Sequence, residues 1–263
     1  MPPDITASEA FHASRGAVDC HGFLFANREE FKRFLEGPVR DRLRDTENVE
    51  AFEAEMLALA STGMAMETLR ALLDSAPPRE AWEVGEAIAE CFIKEHYAVA
   101  WPWNPERDKR TPRASLPGAD LIGLMEENGE AYLALGEVKT SSDSRCPPQV
   151  MYGRTGMAHQ IDTLAGGLAI HFAILKYLNV RCRATGHWPL FQRAAENYLR
   201  SGGKAIRLFG SLVRDTRADE RDLQSRAIAL APRLSSPTSL RLIALYLPEA
   251  IGNLVGLVAG GAG

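Results

Sequence analysis

The sequence predicts an α/β protein in which a central mixed β-sheet is flanked by helices, with a helical element ahead of it. Three observations predict this. Two apolar, strand-like segments, GADLIGLM and AYLALGEVK, flank Asn128-Gly129, the dipeptide that favours a tight hairpin turn. Helical spacing of apolar residues runs through residues 28–73 and 82–93. The chain has 263 residues, 46% hydrophobic and 24% charged, which suits a large packed core and excludes the disordered class.

Residues 1 to about 27 read as irregular, apart from a short strand at 18–25. Phe31, Phe34 and Leu35 then mark one helix, and residues 49–73 a longer one carrying Phe52, Met56, Leu59 and Leu69. Pro77-Pro78 stops this region. A boundary near Ser75 therefore divides an N-terminal irregular and helical element, residues 1–75, from a core over 76–250. A glycine-rich tail, 251–263, follows and is expected to fray.

Within the core, Trp82, Gly85, Ile88, Ala89, Phe92 and Ile93 form the apolar stripe of a helix. Glu86 lies nearer the edge of that stripe than Glu83 or Glu90, and Glu90 is expected to pair with Lys94 on the outer face. Residues 97–103 read as the first strand of the sheet. The stretch 103–113 then carries Arg107, Lys109, Arg110 and Arg113 among prolines, diluted by Glu106 and Asp108. It reads either as a loop contacting phosphates or as a solvated loop.

Beyond the hairpin, Thr140, Ser141, Ser142 and Asp143 form a polar rim whose hydroxyls either contact phosphates or serve turns and caps. Residues 161–178 read as a buried helix, since Asp162, His171 and Lys176 interrupt any membrane-length run. Close packing on the sheet would explain Gly166-Gly167, and His171 is expected to be a satisfied core histidine. Residues 189–200, 204–214 and 218–231 read as helices and 240–247 as a strand. Arg181, Arg183 and Arg193 either extend a basic groove or are solvated.

The net charge of −4 and pI near 5.9 exclude binding of nucleic acid by bulk charge, though not a local basic groove. Four scattered cysteines without C-x-x-C spacing point to a reducing compartment with neither a zinc site nor disulfides. No basic segment leads into an apolar run at the N-terminus. Cytoplasmic residence is therefore expected, with no membrane association.

The chemistry-bearing residues follow from hairpin arithmetic. A type I′ turn centred on Asn128-Gly129 pairs Glu127 with Glu130 and, seven residues further out on each strand, Asp120 with Glu137, at Cβ separations of about 4.5–5.5 Å. Strand alternation puts Lys139 on the same side as Glu137 and turns Val138 away. Two facing carboxylates in an apolar hairpin repel each other and lose hydration, which calls for a divalent cation or a shared proton. A bulge shifting the ladder by one residue would undo the pair.

The pattern Asp-x16-Glu-x-Lys, with the acidic helix before it, resembles the PD-(D/E)xK nuclease superfamily over residues 85–139, about a fifth of the chain. Ala119 stands where the superfamily name has proline. The resemblance implies a restriction endonuclease-like core and hydrolysis of DNA phosphodiester bonds. It also implies Mg2+ or Mn2+ held by Asp120, Glu137 and the Val138 carbonyl, with Lys139 acting on the attacking water; the alternative for Lys139 is a salt bridge to Glu137 with no chemistry. Many members add a glutamate from the preceding helix, a role for which Glu86 is the candidate beside its reading as a solvated charge. Some place a glutamine on the helix after the lysine strand, which Gln160, next to His159, resembles.

Gly-Glu-x3-Glu, Ala-Asp-Leu-Ile-Gly-Leu and Gly-Glu-Val-Lys-Thr-Ser-Ser look like standalone anti-phage defence nucleases, including the Hachiman type that acts with a helicase. The chain has no Gly-x4-Gly-Lys-Ser/Thr loop, so a motor would come from a partner. Two alternatives stay open: a type II restriction endonuclease, acting as a sequence-specific homodimer, and an inactive nuclease-fold interaction module.

Overall fold

The computed structural model describes residues 7–73, 79–108, 118–183 and 185–260. Six strands, β1 (Ser8–Arg15), β2 (Val18–Leu24), β3 (Leu121–Glu127), β4 (Glu130–Ser141), β5 (Ile206–Arg214) and β6 (Ser239–Tyr246), form one mixed sheet in the order β1-β2-β6-β5-β4-β3. The four inner strands run parallel, and β1 and β3 pair antiparallel along the two edges. The expected α/β sheet flanked by helices is thus present. Every residue of β5 is buried, as a central parallel strand covered on both faces requires.

One face carries α1 (Arg28–Phe34), α2 (Arg40–Arg44), α5 (Ala81–Tyr97) and α10 (Leu254–Ala259). Phe23, Phe25, Phe31, Phe34 and Phe92 join there with Val138, Phe209 and Ile243 in one core. The other face carries α6 (Met157–Gly166), α7 (Leu168–Arg183), α8 (Trp188–Arg200) and α9 (Arg221–Leu230), over Leu133, Leu135, Leu208, Leu212 and Leu242. Between α2 and α5, α3 (Thr46–Leu59) and α4 (Gly63–Leu73) bury little besides Leu69.

Several sequence expectations are corrected. The strand expected at 18–25 is present as β2, but residues 8–15, expected to be irregular, form β1, which pairs with β2 as a hairpin inside the main sheet; β2 lies parallel to β6. The helix expected over 49–73 is two, broken at residues 60–62 ahead of Gly63. Residues 97–103 contribute only an isolated bridge, Ala100 to Leu124, because Tyr97 closes α5. Residues 204–214, read as helix, carry β5 (Ile206–Arg214); a short buried segment without clean alternation carries no period that separates a central strand from a buried helix.

The helix expected over 161–178 is α6 and α7, bent by 77°. A Cβ on Gly167 would strike the Thr163 carbonyl, so this glycine permits the bend rather than packing on the sheet. Leu168 and Phe172 on α7 are exposed, so this helix is only half buried. No single described helix is long and apolar enough to cross a membrane. The segment expected to fray carries α10, anchored by Ile251, Leu254 and Val258. His171 is, as expected, a satisfied core histidine, bonded to Tyr198 Oη (2.9 Å) and the Leu164 carbonyl (2.6 Å).

On α5 the acids are arranged differently from the expectation. Glu90 does not face outward to Lys94; it is buried against Arg42 at 2.7 Å. Glu83 is buried as well, its carboxylate capping the Glu80 amide at 2.8 Å and pairing with Arg79. A nearly all-round buried helix needs cations from its neighbours, and α2 supplies Arg42, which also bonds Glu106 at 3.0 Å. Trp82, counted in the apolar stripe, is exposed.

The axis of α5 crosses β4 where Gly85 meets Thr140, and a Cβ on Gly85 would overlap the Thr140 hydroxyl. That hydroxyl is buried without a hydrogen-bond partner among the described residues. Gly85→Ala should therefore destabilise the protein by about 1–3 kcal/mol, although alanine gains about 1 kcal/mol in helix propensity. Thr140→Ala should relieve most of the loss. Urea unfolding of both single variants and the double checks this; an equal cost for Gly85→Ala in either background would refute the contact.

Candidate active site

Asn128 (φ 53°) and Gly129 (φ 80°) both take the left-handed conformation, as a type I′ turn demands. The register is the expected one, running from Glu127 opposite Glu130 to Leu121 opposite Gly136. There β3 begins, while β4 continues to Ser141. Asp120 stands just outside the strand: its amide still donates to the Gly136 carbonyl (3.0 Å), and its Oδ2 accepts the Val138 N–H at 2.8 Å. The carboxylate thus takes the place of a missing ladder partner. A strand residue's N–H and C=O point to the same edge, so the Val138 carbonyl faces this open edge too.

Glu137 is 5% exposed and projects onto the sheet face covered by α6 and α8, together with Lys139, whose Nζ lies 2.5 Å from Glu137 Oε1. The Asp120 carboxyl is within hydrogen-bonding reach of Glu137. Burial first, and the neighbouring Asp120 charge second, push the Glu137 carboxyl up to about 7; Lys139 offsets this only in part. A proton shared between the two carboxyls, or a cation in its place, is what this arrangement takes up.

An oxygen-only donor set of two carboxylates and an edge-facing carbonyl fits Mg2+ or Mn2+, which take oxygen ligands and keep several waters. The cavity beside Asp120, lined also by Glu90, Trp101, Trp103, Pro105, Ile122 and Tyr177, measures about 10 Å3, room for about one water.

The remaining sequence candidates fall around this centre. Glu86 is half-buried on α5, beside the Gly85–Thr140 contact and within electrostatic reach of Arg42. Since α5 covers the opposite sheet face, Glu86 reaches the site only around the unpaired edge of β4. Gln160 is half-buried in the first turn of α6, three residues after Met157. The space above Gly210, the β5 partner of Glu137, is filled by Met157 Sδ, 3.0 Å from where a Cβ would stand. Gln160 thus shares a helix face with the residue packed beside the site.

Among the basic candidates, Arg107 is engaged bidentately by Asp45 at 2.7 and 2.8 Å and stacks on Trp103. Lys109, Arg110 and Arg113 lie outside the described residues. Arg181 pairs with Asp108, Arg193 with Glu126, and Arg183 rests on Trp188. The rim is tied up locally: Ser142 donates to Asp215, and Asp143 accepts the amides of Arg145 and Gln149. The use of Asp120 as a surrogate ladder partner was not legible in the sequence, because strand alternation describes only residues that stay in the strand.

Compared with known proteins, the chain matches no family model and no curated protein.

A glutamate whose folded pKa exceeds its unfolded value binds its proton more tightly when folded. Its contribution is favourable below about pH 4.5 relative to higher pH, and is lost as pH rises through about 7. Glu137→Gln, neutral at every pH, should stabilise the metal-free protein at pH 8 by about 1–3 kcal/mol and have little effect at pH 4.5. Chemical denaturation in EDTA at the two pH values measures the difference; a variant destabilised at pH 8 would show that Glu137 is instead held by a favourable ion pair.

Proposed function

We propose that the chain is a metal-dependent nuclease that hydrolyses DNA phosphodiester bonds, with the PD-(D/E)xK arrangement on a restriction endonuclease-like core. The observation that carries this reading is the contact of Glu137 with both Asp120 and Lys139 where β4 runs on past the start of β3. Two carboxyls in contact that share one lysine suit a hydrolytic centre better than a structural one, since the buried acids elsewhere among the described residues, Asp45, Glu83, Glu90 and Asp222, are each placed against a guanidinium.

Asp120, Glu137 and the Val138 carbonyl would hold Mg2+ or Mn2+, with Glu86 as a further acidic ligand. When bound, the cation supplies positive charge at a phosphoryl oxygen and lowers the pKa of a coordinated water. The Val138 amide holds Asp120 in position. The Lys139 ammonium, paired with Glu137 in the protein alone, turns to the attacking water and to the negative charge that develops at phosphorus. Gln160 orients the water or the phosphate from α6. Lys109, Arg110 and Arg113 bring positive charge to the same chain segment that leads into Asp120, which suits contacts to the DNA backbone, while Arg107 is already engaged by Asp45.

The role proposed is anti-phage defence, alongside a helicase or similar partner. The chain has no phosphate-binding loop of its own, and an unrestrained nuclease is toxic, so a partner that delivers and licenses substrate completes the reading.

Plasmid and linear DNA should be cleaved with Mg2+ or Mn2+ and remain intact in EDTA. Asp120→Ala, Glu137→Ala and Lys139→Ala should each lower the rate at least about 100-fold with the circular dichroism unchanged. DNA left intact with both metals and a candidate helicase present would overturn the proposal.

A further inference from the structure

A second group of ligand-type side chains lies on the other edge of the sheet. Glu9, His12 and His21 bring one ligand atom each within 4.8 Å of one another on the β1–β2 hairpin. His12 and His21 are direct cross-strand partners with stacked rings, 4.3 Å between centroids and 7° between planes. His21 Nδ1 lies 2.8 Å from Glu9 Oε1.

The backbone is built to make this group. Glu9 and His12 are three residues apart, and in a regular strand that spacing would send them to opposite faces. The β1 register shifts between Glu9, opposite Phe23, and Phe11, opposite Gly22. This bulge at Ala10 inserts the one residue needed to return Glu9 to the face of His12, the re-aiming that bulges produce. Phe11 locks the register beyond it. Its ring fills the space over Gly22 that a Cβ would occupy, and it packs edge-on against Tyr246 on the far face. With Phe11 committed to that face, His12 is committed to the other.

Outer contacts orient the rings. Ser14 Oγ sits 3.2 Å from His12 Nε2 and donates to Asp19 Oδ1 at 2.6 Å, while His21 stacks on Phe23 and meets Tyr97 edge-on. A carboxylate linked through a hydroxyl to an imidazole is the kind of support that ligand histidines receive. His96, at the end of α5, lies near enough to interact electrostatically with Glu9 and His21.

We propose that Glu9, His12 and His21 form a site for a zinc-class divalent cation. Two imidazoles and one carboxylate favour Zn2+ over Mg2+. Three protein ligands leave a fourth, solvent-facing position, as in open zinc sites. Bound there, the cation would cross-link the exposed edge strand β1 to β2. This site is independent of the carboxylate centre in both place and ligand chemistry.

The test uses tag-free protein carrying Asp120→Asn/Glu137→Gln, so that the carboxylate centre does not contribute. Competition against a chromogenic zinc chelator should find one Zn2+ per chain, undisturbed by millimolar Mg2+. Zinc should also shift the imidazole NMR signals of His12 and His21 while leaving His171 unmoved. His12→Ala, His21→Ala and the near-isosteric Glu9→Gln should each weaken binding at least tenfold. All three positions are on the edge hairpin, and circular dichroism confirms that the fold persists. Absence of zinc binding in the Asp120→Asn/Glu137→Gln protein, or unchanged affinity in the three variants, would overturn the proposal.

Discussion

The hydrogen bond from the Val138 amide to the Asp120 carboxylate, 2.8 Å long, caps the end of the sheet where β4 outruns β3. An edge strand that stops early leaves its neighbour's polar backbone unmatched, and buried backbone groups must be paired. Asp120 supplies one acceptor through its side chain. That requirement draws its carboxylate to Glu137, and the placement of Glu137 on the packed face brings Lys139 alongside. The three groups meet because β3 and β4 differ in length, as much as because of their spacing in the chain.

The charges elsewhere show what is unusual about this meeting. Glu90 is buried against Arg42, Glu83 against Arg79, and Asp45 against Arg107. Glu127, whose burial alone would raise its pKa, is instead held below the ordinary glutamate value by hydrogen bonds from Arg207 and Arg241. Each of these acids is neutralised by a guanidinium, and breaking such buried pairs typically costs about 3–5 kcal/mol. Glu137 is buried as deeply and has an acid as its second neighbour, with only one lysine partly compensating. Sites that must accept a proton or a cation carry this kind of imbalance.

The hairpin and its register were legible because both are local. Asn-Gly admits the two positive φ values that a type I′ turn needs, and once the turn is placed every later pair is counted outward from it. Similar counting from the turn after Arg15 would have paired His12 with His21, but not Glu9, because the bulge at Ala10 answers to Phe11 docking over Gly22. The same limit explains β5. The run from Ile206 to Arg214 shows no clean two-residue alternation, and all of it is buried, Arg207, Ser211 and Arg214 included, because β4 and β6 pair with it on either side. The acids of α5 were misassigned for a related reason: periodicity marks a face as polar, while the cation that allows such a face to be buried comes from α2.

By itself, then, the sequence determined the turn, the pairing that runs out from it, the side on which Glu137 and Lys139 lie, and the mixture of helices with apolar strands. These rest on φ preferences and side-chain alternation over a few residues. Tertiary structure decided that β1 and β2 belong to the same sheet, that Gly85 lets α5 close on Thr140, and that Asp120 leaves its strand to bond Val138. It also decided that the buried Glu83 and Glu90 meet an arginine while the buried Glu137 meets a lysine and an acid. Those outcomes depend on contacts between segments tens of residues apart, and long-range pairing and burial are not encoded in any local period.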